Sequence, residues 1–351
     1  MRDINMNTRI YYYQNGTTSN IDKTCQSVFE KYNICSTTDK TKALLYIPYT
    51  YDDEYKEIDM MPMYSDRYYF ILSNIYLFIG KENLWKMLYS YYEEAALELI
   101  PLSYDIYSEI DTFTKNFDSN KKYILKKNSQ CQDNIVISSS YEDIIKLALD
   151  KEKKYVIIQE LLQNPYLVLK RKINLRVYML LICRKGRLEM YLYGDGFIYY
   201  TPEFYISNSD NNAHNITTGY IDRSVYETNP LTHLNLKTHM GENQYDILSS
   251  RIETLMTKII KVYALSLEES QPFKDSTMFE LFGCDIAVNS DLSVKIMEIN
   301  KGPDLGPKSP EDAKLKYGLV EDMLKITQIL TSNKDDKDDK DEPNLFKRIF
   351  F

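Results

Sequence analysis

The strongest constraint on the fold is a late pair of apolar runs, residues 279–288 and 292–299, joined by Asn289-Ser290-Asp291. Turn-forming residues between two β-rich runs read as an antiparallel hairpin. Its polar positions are few and grouped. Asp285 lies within the first run, and Glu298 and Asn300 close the second. Glu298 and Asn300 are two residues apart, so they share a face. In a hairpin centred near Asn289-Ser290, Asp285 falls close to the middle of the second strand. A register shift or bulge then decides how near it comes to Glu298. Two carboxylates and an amide oxygen are hard ligands of the kind Mg²⁺ takes together with water and substrate phosphates. The bland alternative is a solvated strand face with carboxylates together by chance. The apolar neighbours Ile286, Val288, Ile296 and Ile299, and the break Asn300-Lys301-Gly302-Pro303, argue for the metal.

Two further elements are basic. Lys126 ends the apolar run Tyr123-Ile124-Leu125, where a lysine can point into a cleft and neutralise phosphate oxygens. Strands commonly end in lysine, so alone this is weak. Lys172, Asn174 and Arg176 alternate with Ile173, Leu175 and Val177. One face of that strand is apolar and the other carries two cations and an amide, as a solvent-facing strand also would. Taken together, the three elements suit a nucleoside triphosphate and its magnesium bound between two sheets.

The rest of the chain reads as α/β. Strands are expected at 10–13, 43–47 and 69–72, with helices at 21–32 and 81–96. An acidic surface loop covers 51–63. A polar stretch at 114–122 marks a domain boundary. Beyond it lie strands at 123–126 and 155–159 with a helix at 143–149 between them. A hairpin of 175–183 and 188–193 turns at Arg184-Lys185-Gly186-Arg187. Residues 205–218, polar and without periodicity, read as a long mobile loop. Helices follow at 246–267 and 319–330. The charge-alternating run 333–342 reads as disordered, and 346–351 as a loose end in preference to a docked segment. The division expected is an N-terminal α/β domain at 1–115, a central domain at 116–200, a C-terminal domain at 201–331 and a charged tail at 332–351.

Composition narrows the partners. A net charge of −8 excludes a chain-wide basic field, so nucleic acid is not expected. No apolar run approaches the roughly 20 residues that cross a bilayer, and no apolar signal follows Met1, so no membrane is expected. Cys25, Cys35, Cys131, Cys183 and Cys284 are widely spaced and form no CxxC pair. They read as reduced thiols of a cytoplasmic protein.

Several segments in series resemble one family. Phe279-Glu-Leu-Phe-Gly-Cys-Asp285 and Met297-Glu-Ile-Asn-Lys-Gly-Pro303 are similar to the F-E-L-x-G-x-D … E-x-N-x-x-P signature of the tubulin–tyrosine ligase-like family, a branch of the ATP-grasp ligases. Gln159-Glu-Leu-Leu-Gln-Asn-Pro165 resembles its Q-x-Y-I-x-x-P, and Lys172-Ile-Asn-Leu-Arg-Val-Tyr178 its K-F-D-I-R-x-Y. Lys81-Glu-Asn-Leu84, Pro101-Leu-Ser-Tyr104 and Tyr123-Ile-Leu-Lys126 are looser matches to K-x-x-L, P-x-T-Y and W-I-L-K, and residues 312–324 resemble the closing helix. The order is right, and coverage runs from about residue 65 to 330.

The resemblance implies an ATP-grasp fold with nucleotide between two sheets, ATP and Mg²⁺ as cofactors, and a ligase joining a free amino acid to a protein or peptide carboxylate through an acyl phosphate. By position it implies that Lys126 contacts phosphates and that Gln159, Glu160, Leu161 and Leu162 hold the adenine. Lys172, Asn174 and Arg176 would face ribose, phosphates and acceptor, with Lys172 and Arg176 catalytic. Asp285, Glu298 and Asn300 would hold magnesium. His233-Leu-Asn235 is a poor match to H-L-T-N. Tubulin is the family's best-known acceptor, but nothing in the sequence reads as a tubulin-docking surface, unless Lys170-Arg171-Lys172 serves as one.

The departures raise an alternative. The expected glycine-rich phosphate loop after Lys126 contains no glycine, the K-F-D aspartate is Asn174, and Gln159 is followed by Glu160 rather than a cation. The family's arginine after its R-E-G turn is lost; that segment offers Gly194 and Tyr199. A weakened pseudoenzyme that binds nucleotide or protein is the rival reading, and an unrelated α/β protein the third.

Overall fold

The computed structural model describes residues 10–13, 23–47, 64–128, 135–219, 221–267, 275–330 and 344–350. Four short parallel strands come first: β1 (Ile10–Tyr13), β2 (Ile34–Thr37), β3 (Leu45–Tyr46) and β4 (Tyr68–Tyr69). Helix α1 (Lys23–Lys31) joins the first two, and helix α2 (Lys81–Tyr92) follows. A small antiparallel sheet comes next, from β5 (Ser103–Asp105), β6 (Tyr123–Lys126), β7 (Val136–Ser138) and β8 (Ile157–Glu160), in the order β5-β8-β6-β7. Helix α3 (Tyr141–Leu149) packs on it through Ile144 and Ala148.

The larger sheet is built around a long hairpin. After β9 (Leu167–Val168), strands β10 (Arg171–Arg184) and β11 (Arg187–Tyr200) pair antiparallel from Arg184↔Arg187 outward. Lys185 and Gly186 between them have φ of 52° and 74°. Two consecutive positive φ angles match the right-handed strand twist, so this turn sets the register. Helices α4 (His233–Met240) and α5 (Glu242–Leu265) lead to β12 (Thr277–Val288) and β13 (Val294–Lys301), and α6 (Pro310–Ile326) follows. A last strand, β14 (Phe346–Phe350), completes the ten-stranded sheet.

β10 alternates between two cores. Val177, Met179 and Leu181 face a cluster with Trp85, Leu88, Ile252 and Ile259, whereas Tyr178, Leu180 and Ile182 face Phe29, Leu319 and Met323. A strand covered on both sides reads as one apolar run, as residues 177–183 do. Helix α5 owes its place to buried Leu248, Ile252, Leu255, Met256, Ile259, Ile260 and Tyr263 at helical spacing.

First, the larger sheet draws strands from both sides of the expected division at 200/201. The 171–200 hairpin pairs with β12 along 11 residues of β10, a partner length that the short strands of the small sheet cannot offer. Strand β4 also joins β12, through Tyr68↔Thr277, so the N-terminal strands extend the same sheet. Second, residues 346–350 are not a loose end. β14 pairs with Met190–Tyr193 of β11, Phe346 packs on Tyr193 at 4.9 Å, and Leu345 N donates to Asp322 Oδ2 at 2.9 Å. An open edge on β11 offers backbone partners that the local sequence of the tail does not reveal. Third, much of 205–218 is held in place. Asn212 Nδ2 donates to Ile135 O at 2.8 Å, and Asn215 is buried and donates to Ser209 O at 2.8 Å. Asn and Ser side chains tie backbone without apolar periodicity, which is why the segment looked irregular. The segments 51–63 and 333–342 lie outside the described residues.

Candidate active site

A cleft of about 280 Å³ opens between the two sheets. Each wall follows from strand geometry. β12 and β13 place Asp285 directly opposite Glu298 and Gly283 opposite Asn300. The register slips between Asp285 and Ile286, where Ile286 faces Ile296 and skips Met297. That bulge brings the carboxylates onto one cross-strand position. Next to them on β10, Arg176 pairs with Asp285 across the sheet.

Each carboxylate has a cation beside it, although Glu298 still adds to the rise of the Asp285 carboxyl. Arg176 grips Asp285 with two hydrogen bonds, Nε to Oδ1 at 2.7 Å and Nη2 to Oδ2 at 3.2 Å. Burial still pushes the Asp285 carboxyl above its ordinary value, and the guanidinium offsets only part of this. Lys81 Nζ, from the start of α2, meets Glu298 Oε1 at 3.0 Å. Among the described residues no group of three or more His, Cys, Asp or Glu side chains could hold a metal ion. The set here is two carboxylates and the Asn300 amide.

Two other cations make no salt bridge among the described residues. Lys126, buried on β6, donates to Gln159 Oε1 at 2.7 Å, and Gln159 Nε2 donates to Ser103 Oγ at 2.9 Å. Burial, aided by Lys81 and Lys172 and opposed by Glu298 and Asp285, lowers the Lys126 ammonium to about 8. Lys172, buried at the start of β10, is likewise lowered to about 8 by burial alone. Asn174 faces the same cleft with its Oδ1 buried and unpartnered among the described residues. Ile124, Ile135, Leu161, Leu162 and Ile216 supply an apolar wall.

Of the residues singled out from sequence, Lys126, Glu160, Leu161, Leu162, Lys172, Asn174, Arg176, Asp285, Glu298 and Asn300 all line this cleft. Gln159 does not; it lies behind Lys126 and orients it. Glu160 is engaged by Lys121 at 2.8 Å. His233 is buried against residue 197 with its Nε2 unpartnered, and burial lowers it to about 4, so its poor motif match leads to no cleft residue. Sequence reasoning missed Lys81, Tyr199, residues 215–219, Asp304 and Lys308 as lining groups. Lys81 carried a signal in the Lys81-Glu-Asn-Leu84 match; the 215–219 stretch carried none.

Gly283 allows the Arg176–Asp285 contact. A Cβ there would lie 2.4 Å from Arg176 Nη1 and 2.9 Å from Pro303 Cβ. Gly283→Ala is therefore expected to displace the guanidinium and to cost about 1–3 kcal/mol by overpacking. Urea unfolding checks this, and the cost should shrink in an Arg176→Met background. An equal cost in both backgrounds would show that the guanidinium does not need the space.

Comparison with known proteins fits this cleft. The sequence matches the Tubulin-tyrosine ligase family over residues 62–337. The chain belongs to that family. A probable tubulin polyglutamylase of Mus musculus is 31% identical over 182 residues, which is 49% of this chain and 38% of that protein. Tubulin glycylase 3B of Drosophila melanogaster is 24% identical over 228 residues, 61% of this chain and 30% of that protein. A probable beta-tubulin polyglutamylase of Tetrahymena thermophila is 22% identical over 281 residues, 72% and 22% respectively. The chain thus spans well under half the length of the curated relatives it matches. The mixed α/β architecture, with a cleft between a large and a small sheet, is the ATP-grasp class expected from the sequence. Among the described residues no helix is long and apolar enough to cross a membrane.

Proposed function

We propose that this chain is an ATP-dependent ligase that joins a free amino acid to a carboxylate of a protein or peptide. The observation that carries the reading is the pair of buried lysines, Lys126 and Lys172, neither of which makes a salt bridge among the described residues: Glu298 and Asp285 act on Lys126 only at a distance, and burial alone governs Lys172. Burying an uncompensated ammonium is costly, and a polyanion repays it. The apolar wall suits a base held by the backbone of 159–162. The unpartnered Asn174 Oδ1 suits a sugar hydroxyl, which donates to a neutral amide as it would to a carboxylate. Asp285, Glu298 and Asn300 would hold Mg²⁺, which when bound screens the phosphates and steadies charge on transfer.

In this reading ATP phosphorylates the acceptor carboxylate, and the amine of the amino acid displaces phosphate to form the amide, leaving ADP and phosphate. Arg176 and Lys172 steady the transferred group. Tubulin is the acceptor named for the relatives, and it is a candidate acceptor here. The names of the relatives favour a ligase over a binding module without activity, and a cleft with both lysines and both carboxylates in place favours it too. The reading places the chain in the cytoplasm, where ATP is supplied and thiols stay reduced.

Glu298→Gln tests the metal. The variant is expected to lose about tenfold or more in Mg²⁺-dependent ATP affinity, because an amide is a poorer ligand for a hard cation. It should cost roughly 1 kcal/mol in stability, since it strips Lys81 of its half-buried partner. Calorimetric titration of ATP with and without Mg²⁺ reads the first effect. If wild type and variant gained equally from Mg²⁺, Glu298 would not be a ligand.

A further inference from the structure

The cleft contains a cation that the family signature does not supply. The segment where the family carries an arginine offers Tyr199 here. Burial raises that phenol to about 12, so it stays neutral. Lys308 reaches the same place from another element. A Cβ on Gly219 would touch both Tyr199 Cε1, at 3.1 Å, and Lys308 Nζ, at 3.4 Å. The Arg176 guanidinium lies 5.1 Å from the centre of the Tyr199 ring. Lys308 and Tyr199 therefore flank Gly219, and both line the cleft with Arg176 and Asp285, the side where magnesium and the outer phosphates would lie.

The loop carrying Lys308 is fixed from beneath. Lys316 Nζ donates to Gly306 O at 2.9 Å, Lys308 N donates to Asp312 Oδ2 at 2.8 Å, and Thr24 Oγ1 donates to Leu305 O at 2.7 Å. Asp312 and Lys316 pair at 2.9 Å, one turn apart on α6, with side chains 0% and 5% exposed. A buried ion pair gives little net stability, so its effect here is read from its other contacts. Here both members also bind the backbone of the loop. At the loop surface, Lys308 pairs with Asp304 at 3.0 Å, with 23% and 57% of the side chains exposed. An exposed pair of that kind is weak. The ammonium can leave it for a phosphate.

We propose that Lys308 is the cation that meets the terminal phosphate of the bound nucleoside triphosphate, and that the buried Asp312–Lys316 pair is the positioning device that holds it there. This rests on the nucleotide reading above. Lys308 thus supplies from the loop after β13 the charge that Tyr199 cannot. Lys316 acts through Lys308 and touches no ligand itself.

The test uses the full chain with Mg²⁺ and three probes: a non-hydrolysable ATP analogue, ADP, and a panel of free amino acids. Lys308→Met should weaken the triphosphate analogue about tenfold or more, the scale of one hydrogen bond to a charged group, and ADP far less. Lys316→Met should reproduce that triphosphate-selective loss, and Lys316→Arg should restore most of it. A purely structural role would instead weaken both nucleotides alike. That outcome, or an unchanged triphosphate-to-diphosphate ratio in Lys308→Met, overturns the proposal. So does a loss confined to amino-acid binding, which would assign Lys308 to a carboxylate. If Lys316→Met fails to fold, Lys308→Met and Lys308→Gln carry the test. Were wild type to bind no magnesium–nucleotide, the ligase reading would fall as well; were it to bind normally while Lys308→Met kept the wild-type ratio, only the present assignment would fall.

Discussion

Lys172→Met is expected to stabilise the ligand-free protein at neutral pH and to remove most of its affinity for magnesium–nucleotide. The two effects have one cause. Lys172 is buried with no carboxylate beside it among the described residues, and burial lowers its ammonium from 10.5 to about 8. A depression of that size corresponds to roughly 3 kcal/mol of penalty on the charged form. Below pH about 8 both folded and unfolded chains hold the proton, and the penalty applies in full. Between about 8 and 10.5 the folded protein has released a proton that the unfolded chain still binds, so stability rises with pH through that window. Methionine keeps most of the length and apolar contact of the side chain without the charge. The variant should therefore be more stable than wild type at pH 7, and the gap should close towards pH 10. Nucleotide affinity should fall about a hundredfold at pH 7, as expected when a charge-assisted contact in a buried site is lost. In wild type the same affinity should decline as pH climbs above about 8. Thermal unfolding across pH 6–10, paired with calorimetry, reads both effects. A destabilised variant with undiminished affinity would make Lys172 a structural lysine and remove the main support for the ligase reading.

How much of this was legible depends on where the information lies. The β12–β13 hairpin was readable because its apolar period, its Asn289-Ser290-Asp291 turn and its three polar exceptions are all local. Even so, the sequence left open whether Asp285 meets Glu298, because a single skipped residue, Met297, decides it. The alternation of Lys172, Asn174 and Arg176 identified the right face but could not separate a cleft from solvent. That distinction comes from the small sheet, whose Lys126 and Leu161 close over it. Lys81 carried only a loose motif match and Lys308 none, because the first reaches the cleft across more than 100 residues of chain and the second from a loop with no pattern of its own. The same reason hid β14, which is defined by the edge it joins rather than by its own composition. Residues 215–219 were hidden because asparagine side chains, not apolar spacing, fix the segment that carries them.

The Arg176–Asp285 pair gives the second large effect, and a means of telling a metal ligand from a structural carboxylate. Both oxygens of Asp285 are engaged by one guanidinium, and the side chains are 12% and 17% exposed. Removing one partner of such a pair strands the other in low dielectric. Arg176→Met should cost about 3–5 kcal/mol, while replacing both residues by apolar ones should cost much less. A double-mutant cycle with Asp285→Leu isolates the coupling, provided unfolding stays two-state. The informative step is to repeat the cycle with saturating Mg²⁺ and an ATP analogue. Each Asp285 oxygen keeps a second lone pair, so it can bind a metal while still accepting from the guanidinium, but the metal's charge draws down the negative charge that Arg176 sees. If Asp285 is a ligand, bound Mg²⁺ weakens the attraction between its carboxylate and Arg176, and the coupling should fall below its ligand-free value. Arg176 is then freer to serve the phosphates, where the proposed reaction needs a cation. A coupling energy that is unchanged by Mg²⁺–nucleotide would leave Asp285 as the fixed counter-ion of Arg176. The metal would then have to rest on Glu298 and Asn300 alone.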